Sequence, residues 1–247
     1  MQLATHCLAS SGGRSVNEDA VMQAVGPEYA LLALADGLGG HGGGAIAANL
    51  CVKTVVAAFS RAPDLSDAAL QSLVDEADRA IAALRCERRQ PAGSMRTTVA
   101  LLAVRDGQAR WAHVGDSRVY WFRDRVLMER TRDHTVSELV MSLPSGASAA
   151  PLDVADRNIL LRALGTGKGG CAELCNTAVT LQPGDAFLLC SDGVWSVVPD
   201  AEITDCLSQV STSLDWCVAL EGRLHDHLAG KREDHDNYSM ITGMVIS

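Results

Sequence analysis

The chain has 247 residues, of which 47% are hydrophobic, so it can bury a large core. Its 30 acidic residues against 21 basic ones give a net charge of −9, which repels nucleic-acid phosphates and anionic membrane surfaces and favours metal cations. We therefore expect no nucleic-acid partner and no membrane contact. We also expect a cytoplasmic location, because the first residues lack the charged and apolar regions of a signal peptide.

The first half of the chain predicts strands followed by a pair of helices. Strand-like runs occupy residues 2–10, 19–25 and 29–35. The third run is continuously apolar and stops at Asp36-Gly37, which indicates a strand buried on both faces. Helical spacing follows at residues 44–59 and 65–89, and Ser66 is an N-cap candidate for the second helix.

The second half predicts more strands, three further helices and a closing strand. Alternating runs between residues 97 and 129, broken at Asp106-Gly107, Gly115-Asp116 and Arg123-Asp124, indicate an antiparallel meander. The remaining predictions are helices at 136–141, 200–210 and 214–228, and strands at 177–181, 186–191 and 238–246. Residues 142–156 are rich in Ser, Ala, Pro and Gly, which predicts a surface flap.

This order of elements favours segregated layers over alternating β-α-β units. We predict an α+β fold, a four-layer sandwich in which two central antiparallel β-sheets are flanked by α-helices. One domain would span residues 1–247, with the flap at about 142–156.

Four aspartates lie at the ends of predicted core strands: Asp36, Asp116, Asp192 and Asp236. An Asp-Gly pair alone is most often only a turn. Several such carboxylates can nevertheless converge at one edge of the sheets, where neighbouring glycines let carbonyl oxygens and water approach. An all-oxygen cluster of this kind suits Mg²⁺ or Mn²⁺ rather than zinc.

A second polar group precedes the first buried strand, where Arg14 is followed by Glu18-Asp19. Taken alone, it is most simply a solvated turn. The functional interpretation is that the guanidinium fork grips a phosphoryl group while the two acids anchor metal-bound waters.

Seven motifs occur in a fixed order, namely R-S-V-N-E-D, L-A-D-G-L-G-G-H, R-T-T, H-V-G-D-S-R-V-Y, L-Q-P-G-D, C-S-D-G-V-W and H-D-N-Y-S. From Arg14 to about Ser239 the chain resembles the bacterial metal-dependent Ser/Thr protein phosphatases of the protein phosphatase 2C family. The resemblance implies a β-sandwich between helical layers and a dinuclear Mn²⁺ or Mg²⁺ site. It further implies hydrolysis of phosphoserine and phosphothreonine by direct attack of a metal-bridging hydroxide, without a phosphoenzyme.

The resemblance assigns the metal ligands by motif position. Asp36 would bridge both ions, and Gly37 would offer its carbonyl oxygen to one of them. Asp192 and Asp236 would bind the other ion. A third, weaker ion would be held by Asp116 together with Asp192.

The other motif residues would act around the ions. Arg14 would bind the substrate phosphate, and Glu18 and Asp19 would hold metal-bound waters. Leu38 occupies the position at which eukaryotic members carry a histidine proposed as the general acid. The proton donor is therefore left open between a metal-bound water and His41.

The resemblance also implies phosphorylated protein substrates and a cognate Ser/Thr kinase, and secretion-system regulation is a further expectation. A monomer is the default. The alternative is a catalytically silent phosphoprotein-binding module of the same fold. Retention of Arg14, Asp36, Asp192 and Asp236 counts against that alternative.

Three further patterns match other chemistries without the required context. Residues 37–42 fit G-x-G-x-x-G, but a second helix follows where a dinucleotide fold needs a strand ending in an acid. Cys217 and Arg223 have the spacing of cysteine-dependent phosphatases but lie in a predicted helix, and the eight cysteines are expected to be reduced and mostly buried. His225 and His227 do not share a helix face, which disfavours a zinc site with His235.

Overall fold

The computed structural model describes residues 2–39, 43–91, 93–142, 159–229 and 235–246. Within these ranges the strands are β1 (Gln2–Ser10), β2 (Asp19–Val25), β3 (Tyr29–Leu38), β4 (Arg96–Thr97), β5 (Val99–Arg105), β6 (Gln108–Val114), β7 (Arg118–Arg123), β8 (Val126–Arg130), β9 (Glu173–Leu174), β10 (Val179–Thr180), β11 (Ala186–Cys190) and β12 (Tyr238–Ile246). The helices are α1 (Gly43–Arg61), α2 (Asp67–Glu87), α3 (Val136–Met141), α4 (Asp192–Trp195), α5 (Asp200–Ser208) and α6 (Ser213–His227).

The strands form two antiparallel sheets. One sheet has the order β1-β12-β11-β7-β8, and the other has the order β10-β6-β5-β3-β2, with β4 paired to β3 and β9 paired to β6. Helices α1 and α2 pack on the outer face of the second sheet, and α4, α5 and α6 pack on the outer face of the first. The predicted α+β four-layer sandwich is confirmed.

Strand β3 shows how the layers are held together. Leu31 and Ala33 face α1 and α2, whereas Leu32 and Leu34 face the other sheet, where Phe187 lies in the same apolar cluster. The four β3 residues are fully buried. Because successive side chains point to opposite faces of a strand, only a continuous apolar run satisfies both layers.

The predicted end of the third strand at Asp36-Gly37 is wrong. β3 continues to Leu38 because Gly37 and Leu38 pair with Thr97 and Arg96 of β4. Asp36 thus belongs to the strand itself: its carbonyl oxygen accepts the Thr98 N–H on one edge, and on the other edge it stands opposite Asp19 of β2. The N-cap prediction is confirmed, since the Ser66 side chain accepts a hydrogen bond from the Ala69 N–H at 3.2 Å.

The predicted single meander is also wrong. The β5–β6 hairpin belongs to one sheet and the β7–β8 hairpin to the other. The chain crosses between the sheets at Gly115, whose φ of +97° lies in the region that favours glycine. Strands β4 and β9 were not predicted, because two residues are too few to show a period-two pattern.

Helix α1 is, by length and composition, apolar enough to cross a membrane. Ala47, Cys51 and Val55 on one side of it are fully buried in the cluster that contains Leu31 and Ala33 of β3, as in the core helix of a globular protein. The predicted flap at 142–156 lies outside the described residues apart from Ser142, which ends α3. The single domain over residues 1–247 stays a prediction.

Candidate metal centre

A cleft of about 710 Å³ opens at one edge of the sandwich. Its lining includes six of the predicted site residues: Arg14, Glu18, Asp36, Gly37, Asp192 and Asp236. The other two, Asp19 and Asp116, are buried near it, 6% exposed each. The structure therefore brings the strand-end carboxylates together, although they lie up to 200 positions apart in the sequence.

Asp36 is fixed through its backbone by two threonines. Its N–H donates to Thr98 Oγ1 at 2.9 Å, and its carbonyl oxygen accepts from Thr98 N–H at 2.9 Å and from Thr97 Oγ1 at 2.8 Å. On the other edge, Asp36 is the register partner of Asp19 in β2. The R-T-T motif therefore holds the backbone of the aspartate, a role that sequence reasoning missed.

Asp19 and Asp192 are linked through a buried serine. Ser191 Oγ donates to Asp19 Oδ2 at 2.7 Å and accepts from the Ser239 N–H at 3.0 Å. Asp192 follows Ser191 directly and begins the short helix α4. Gly193 is required next, because a Cβ there would lie 2.0 Å from the Asn237 carbonyl oxygen.

Asn237 ties the Arg14 loop to the last strand. Its Oδ1 accepts from the Glu18 N–H at 2.8 Å, and its Nδ2 donates to the carbonyl oxygens of Ser11 and Val16 at 2.9 and 3.1 Å. Arg14 Nη2 lies 3.2 Å from Asp236 Oδ2, and both side chains are exposed. The contacts place Glu18, Arg14 and Asp236 on the same wall of the cleft.

Asp116 lies at the turn between β6 and β7, behind the cleft. Its carbonyl oxygen accepts from Trp195 Nε1 at 2.9 Å, so the turn is tied to the helix that begins at Asp192. The Trp195 ring also lies 3.6 Å from the Arg118 guanidinium, which makes two hydrogen bonds of 2.8 and 2.7 Å to Asp133.

The carboxylates raise one another's pKa values. Burial raises the pKa of Asp19 to about 7 and that of Asp116 to about 7, and the charge of Asp192 adds to both shifts. Burial raises the pKa of Asp36 well above its ordinary value, and the charges of Asp19, Asp192, Asp116 and Asp236 raise it further. The pKa of Asp192 is raised mainly by burial and then by Asp236.

A divalent cation would offset this repulsion, because it favours the ionised form of every carboxylate that it touches. Within the described cleft the donors are carboxylate and carbonyl oxygens, and the cationic side chain lining it, Arg14, reaches only Asp236. Oxygen donors of this kind are those that Mg²⁺ and Mn²⁺ prefer. The residues present therefore fit the predicted metal ions.

A second group of possible ligands, His113, His134 and Glu173, has donor atoms within 4.8 Å of one another. The two rings stack, with centroids 4.5 Å apart and 26° between their planes, so their lone pairs run side by side instead of converging. His134 Nδ1 already accepts the Gly115 N–H at 3.1 Å, and His113 Nε2 lies 2.7 Å from the Arg132 carbonyl oxygen. The two histidines are therefore better described as stacked rings that each bind a backbone group than as ligands of a metal ion.

The other patterns in the sequence remain separate from the cleft. Cys217 is buried in α6, and burial raises the pKa of its thiol to about 12, so it stays protonated. His225 Nε2 contacts Tyr238 Oη at 3.1 Å and His227 Nε2 contacts Glu202 at 3.0 Å, so the two rings diverge as their spacing predicts. Leu38 lines the cleft, and His41 lies outside the described residues.

Comparison with known proteins gives consistent matches. The family model described as Protein phosphatase 2C matches residues 11–229. Serine/threonine phosphatase stp of Listeria innocua is 31% identical over 187 residues, which are 74% of this chain and 73% of that protein.

Solved structures match over nearly the whole chain. The catalytic domain of the serine/threonine protein phosphatase PstP, in complex with two manganese ions, is similar with a TM-score of 0.79 and 28% identity over 99% of both chains. PppA, a key regulatory component of the T6SS in Pseudomonas aeruginosa, has a TM-score of 0.76 and 29% identity over 99% of this chain and 98% of that one.

Proposed function

The chain belongs to the protein phosphatase 2C family, and from that membership we propose that it hydrolyses phosphoserine and phosphothreonine in proteins by direct attack of water on phosphorus. It is a metal-dependent Ser/Thr protein phosphatase that uses Mn²⁺ or Mg²⁺. The observation that carries the proposed mechanism is the convergence of Asp36, Asp192 and Asp236 with Arg14 in one cleft.

We propose that Asp36 would be the ligand shared by two ions, that the Gly37 carbonyl oxygen would help to hold one of them, and that Asp192 and Asp236 would hold the other. The ions, when bound, activate the attacking water and neutralise charge on the phosphate. Asp36 suits the shared position because its backbone N–H and its carbonyl oxygen are both hydrogen-bonded to Thr97 and Thr98, which fixes the point from which the carboxylate extends.

Arg14 is proposed to bind the phosphate. Its guanidinium is 58% exposed at the cleft, next to Asp236, and has donors to spare beyond that one contact. Glu18 and the buried Asp19 are proposed to orient water near the ions. Leu38 has no proton to give, so we propose that water in the cleft protonates the leaving serine or threonine oxygen.

The test is hydrolysis of a phosphothreonine peptide at increasing Mn²⁺ concentration, followed by addition of EDTA. Turnover that requires Mn²⁺ and stops with EDTA supports the enzyme. Acid quenching during turnover of a ³²P-labelled peptide should leave no label on the protein, because no phosphoenzyme forms. Labelled protein would contradict direct attack, and tight peptide binding without turnover would favour the phosphoprotein-binding module.

We also propose that the protein acts in the cytoplasm, as a monomer, against a Ser/Thr kinase. The similarity to PppA is the support for regulation of a secretion system as the setting. Phosphoproteomics of a deletion strain tests the opposing kinase and the secretion setting. Sites that gain phosphate should be substrates of one kinase that regulates secretion. Gains scattered without a common kinase would count against a dedicated pair.

A further inference from the structure

His134 holds the turn that carries Asp116. Its ring Nδ1 accepts the Gly115 N–H at 3.1 Å, and its own backbone N–H donates to the Gly115 carbonyl oxygen at 2.9 Å. Both hydrogen-bonding groups of the Gly115 peptide backbone are thus satisfied by one residue, which lies 19 positions later in the chain. The next residue along the turn is Asp116.

The opposite side of the same turn is held by Thr98. A Cβ on Gly115 would lie 2.6 Å from the Thr98 methyl group, so the turn packs directly on that side chain. Thr98 Oγ1 lies 2.6 Å from Ser117 Oγ and accepts the Asp36 N–H. The turn is therefore clamped between the threonine that fixes Asp36 and the imidazole of His134.

We propose that His134 is a positioning residue, whose Nδ1 lone pair holds the Gly115-Asp116 turn so that the Asp116 carboxylate is directed toward Asp192 and Asp36. The inference rests on the proposed function, extended by the expectation from the family resemblance that Asp116 together with Asp192 would hold a third, weaker ion. His134 itself does not line the cleft and is not a catalytic residue.

The surroundings of the ring keep that lone pair available. Burial and the neighbouring His113 ring lower the pKa of His134 to about 4, so the imidazole is neutral near pH 7. Because Nδ1 accepts the Gly115 N–H, the proton of the neutral ring is on Nε2, which faces Glu173 Oε2 at 3.1 Å. Stacking on His113, with centroids 4.5 Å apart, fixes the plane of the ring.

The backbone of His134 is fixed as well. Its carbonyl oxygen accepts the Leu161 N–H at 2.8 Å, and the next residue, Thr135, forms a β-bridge with Leu160. These contacts pair the backbone of His134 and Thr135 with Leu160 and Leu161. His134, which holds the Asp116 turn, is therefore itself held in place at both its ring and its backbone.

The experiment compares His134→Asn with His134→Gln. Asparagine places an oxygen acceptor near the Nδ1 position, whereas glutamine places its polar atoms near the Nε2 position and leaves the Gly115 N–H without its side-chain acceptor. His227→Asn is the control, because that exposed ring ends α6 and contacts Glu202 of α5, well separated from the Gly115-Asp116 turn. Amide exchange of Gly115 is measured by NMR on metal-free protein, and kcat and KM are measured with Mn²⁺.

We expect His134→Gln to speed exchange of the Gly115 amide by roughly fivefold or more, which is the loss of one hydrogen bond. It should also lower kcat while KM for the phosphopeptide stays within about twofold, because Asp116 does not bind the phosphopeptide in this scheme. His134→Asn should restore both properties to near the His227→Asn values.

Equal exchange rates in the asparagine and glutamine variants would overturn the inference. So would an equal loss of kcat in both, because the ring would then act by packing on His113. If the glutamine variant does not fold, the asparagine variant decides alone, and a freely exchanging Gly115 amide in it overturns the inference. The exchange measurement needs neither metal nor substrate, so a wild-type protein without phosphatase activity would refute the proposed function separately.

Discussion

The aspartates of the cleft differ in how firmly each is held. Asp36 is fixed by Thr97 and Thr98 within a paired strand, whereas the Asp236 side chain is half exposed and contacts the Asn237 N–H at 2.8 Å and Arg14 at 3.2 Å. A rigid ligand can sit between two ions without rearranging when they bind. Asp36, which we assign to both ions, has its backbone N–H and its carbonyl oxygen hydrogen-bonded to Thr97 and Thr98.

Asp36→Asn or Asp192→Asn should lower kcat by at least about 10² while the protein stays folded, because a neutral amide binds divalent cations poorly. Stability without metal should be equal or higher, since one repelling carboxylate is removed from the cluster. Steady-state kinetics and thermal unfolding in EDTA check this. Asp205→Asn, an exposed aspartate on α5, is the control, and near-normal kcat in either cleft variant would contradict the ligand assignment.

Arg14→Ala should raise KM for the phosphopeptide with little change in melting temperature. The Arg14–Asp236 pair is exposed, with side-chain exposures of 58% and 52%, and such pairs contribute only about 0–1 kcal/mol. Arg61→Ala is a matched control, because Arg61 forms a similar exposed pair with Glu76 at 3.3 Å. Arg61 lies at the end of α1 that is remote from the cleft. An unchanged KM in Arg14→Ala would contradict phosphate binding by this residue.

The sequence predicted which carboxylates meet but not what holds them. Strand-end aspartates carry a recognisable chemistry, so Asp36, Asp192 and Asp236 could be named from pattern and motif order. Thr98, Ser191 and Asn237 could not be named, because their hydrogen bonds reach backbone or side-chain groups 62, 172 and 219 positions away. No local spacing records which distant peptide group a hydroxyl or amide will meet.

Among the elements, β3 and α1 approach each other closely next to the cleft. A Cβ on Gly37 would lie 2.3 Å from the Gly44 carbonyl carbon and 2.6 Å from the Glu18 carbonyl oxygen. The strand that carries Asp36 therefore touches the backbone of the helix start and of the Glu18 loop at once. Glycine is required at both Gly37 and Gly44 for that contact.

Gly37→Ala should destabilise the protein by about 1–3 kcal/mol, because the methyl group must push two backbone segments apart. It should also lower Mn²⁺-dependent turnover, since separating these segments displaces the backbone carbonyl of residue 37, which is the proposed ligand. Gly222→Ala is the control: it lies within α6 with nothing within 4 Å of its Cβ, so it should stabilise by about 0.5–1 kcal/mol. Urea unfolding measures both, and a Gly37→Ala variant as stable as wild type would contradict the close approach.

Element positions were predictable where periodicity was strong. β1, β2, β12 and α3 have the predicted bounds, and α1, α2, α5 and α6 differ by a few residues at their ends. The four-residue helix α4 was not predicted. The errors fall where tertiary pairing decides: β3 is extended by β4, and the 97–129 region divides between two sheets. A hairpin looks the same in sequence whichever sheet it joins.

For the molecule as a whole, the excess of acidic groups makes stability depend on pH and metal. The pKa values of Asp19 and Asp116 are raised from 3.8 to about 7 in the folded state. Between these two values the native state binds more protons than the unfolded state, so the free energy of unfolding falls as pH rises toward and through 7. The pKa values of His113 and His134 are lowered by burial, so these two rings contribute a smaller slope of opposite sign, which fades as pH rises above the ordinary histidine value of about 6.5.

In EDTA, the melting temperature should therefore fall by ~3 °C between pH 6.5 and pH 8.0. Mn²⁺ should reduce or reverse the fall, because the ions bind the ionised carboxylates. Differential scanning calorimetry measures this, and Asp19→Asn should flatten the slope in EDTA. A melting temperature in EDTA that rises over this range would contradict the shared burial of the carboxylates.

The pairing of the first and last described strands has a consequence for protein synthesis. β1 and β12 share nine paired positions, and β12 separates β1 from β11 in the sheet. While the ribosome has not yet released residues beyond about 235, the nascent chain exposes strand edges on both β1 and β11 and has no Asp236. Newly made chains should thus depend on chaperones until β12 has emerged, and they should gain activity only after β12 is inserted between β1 and β11.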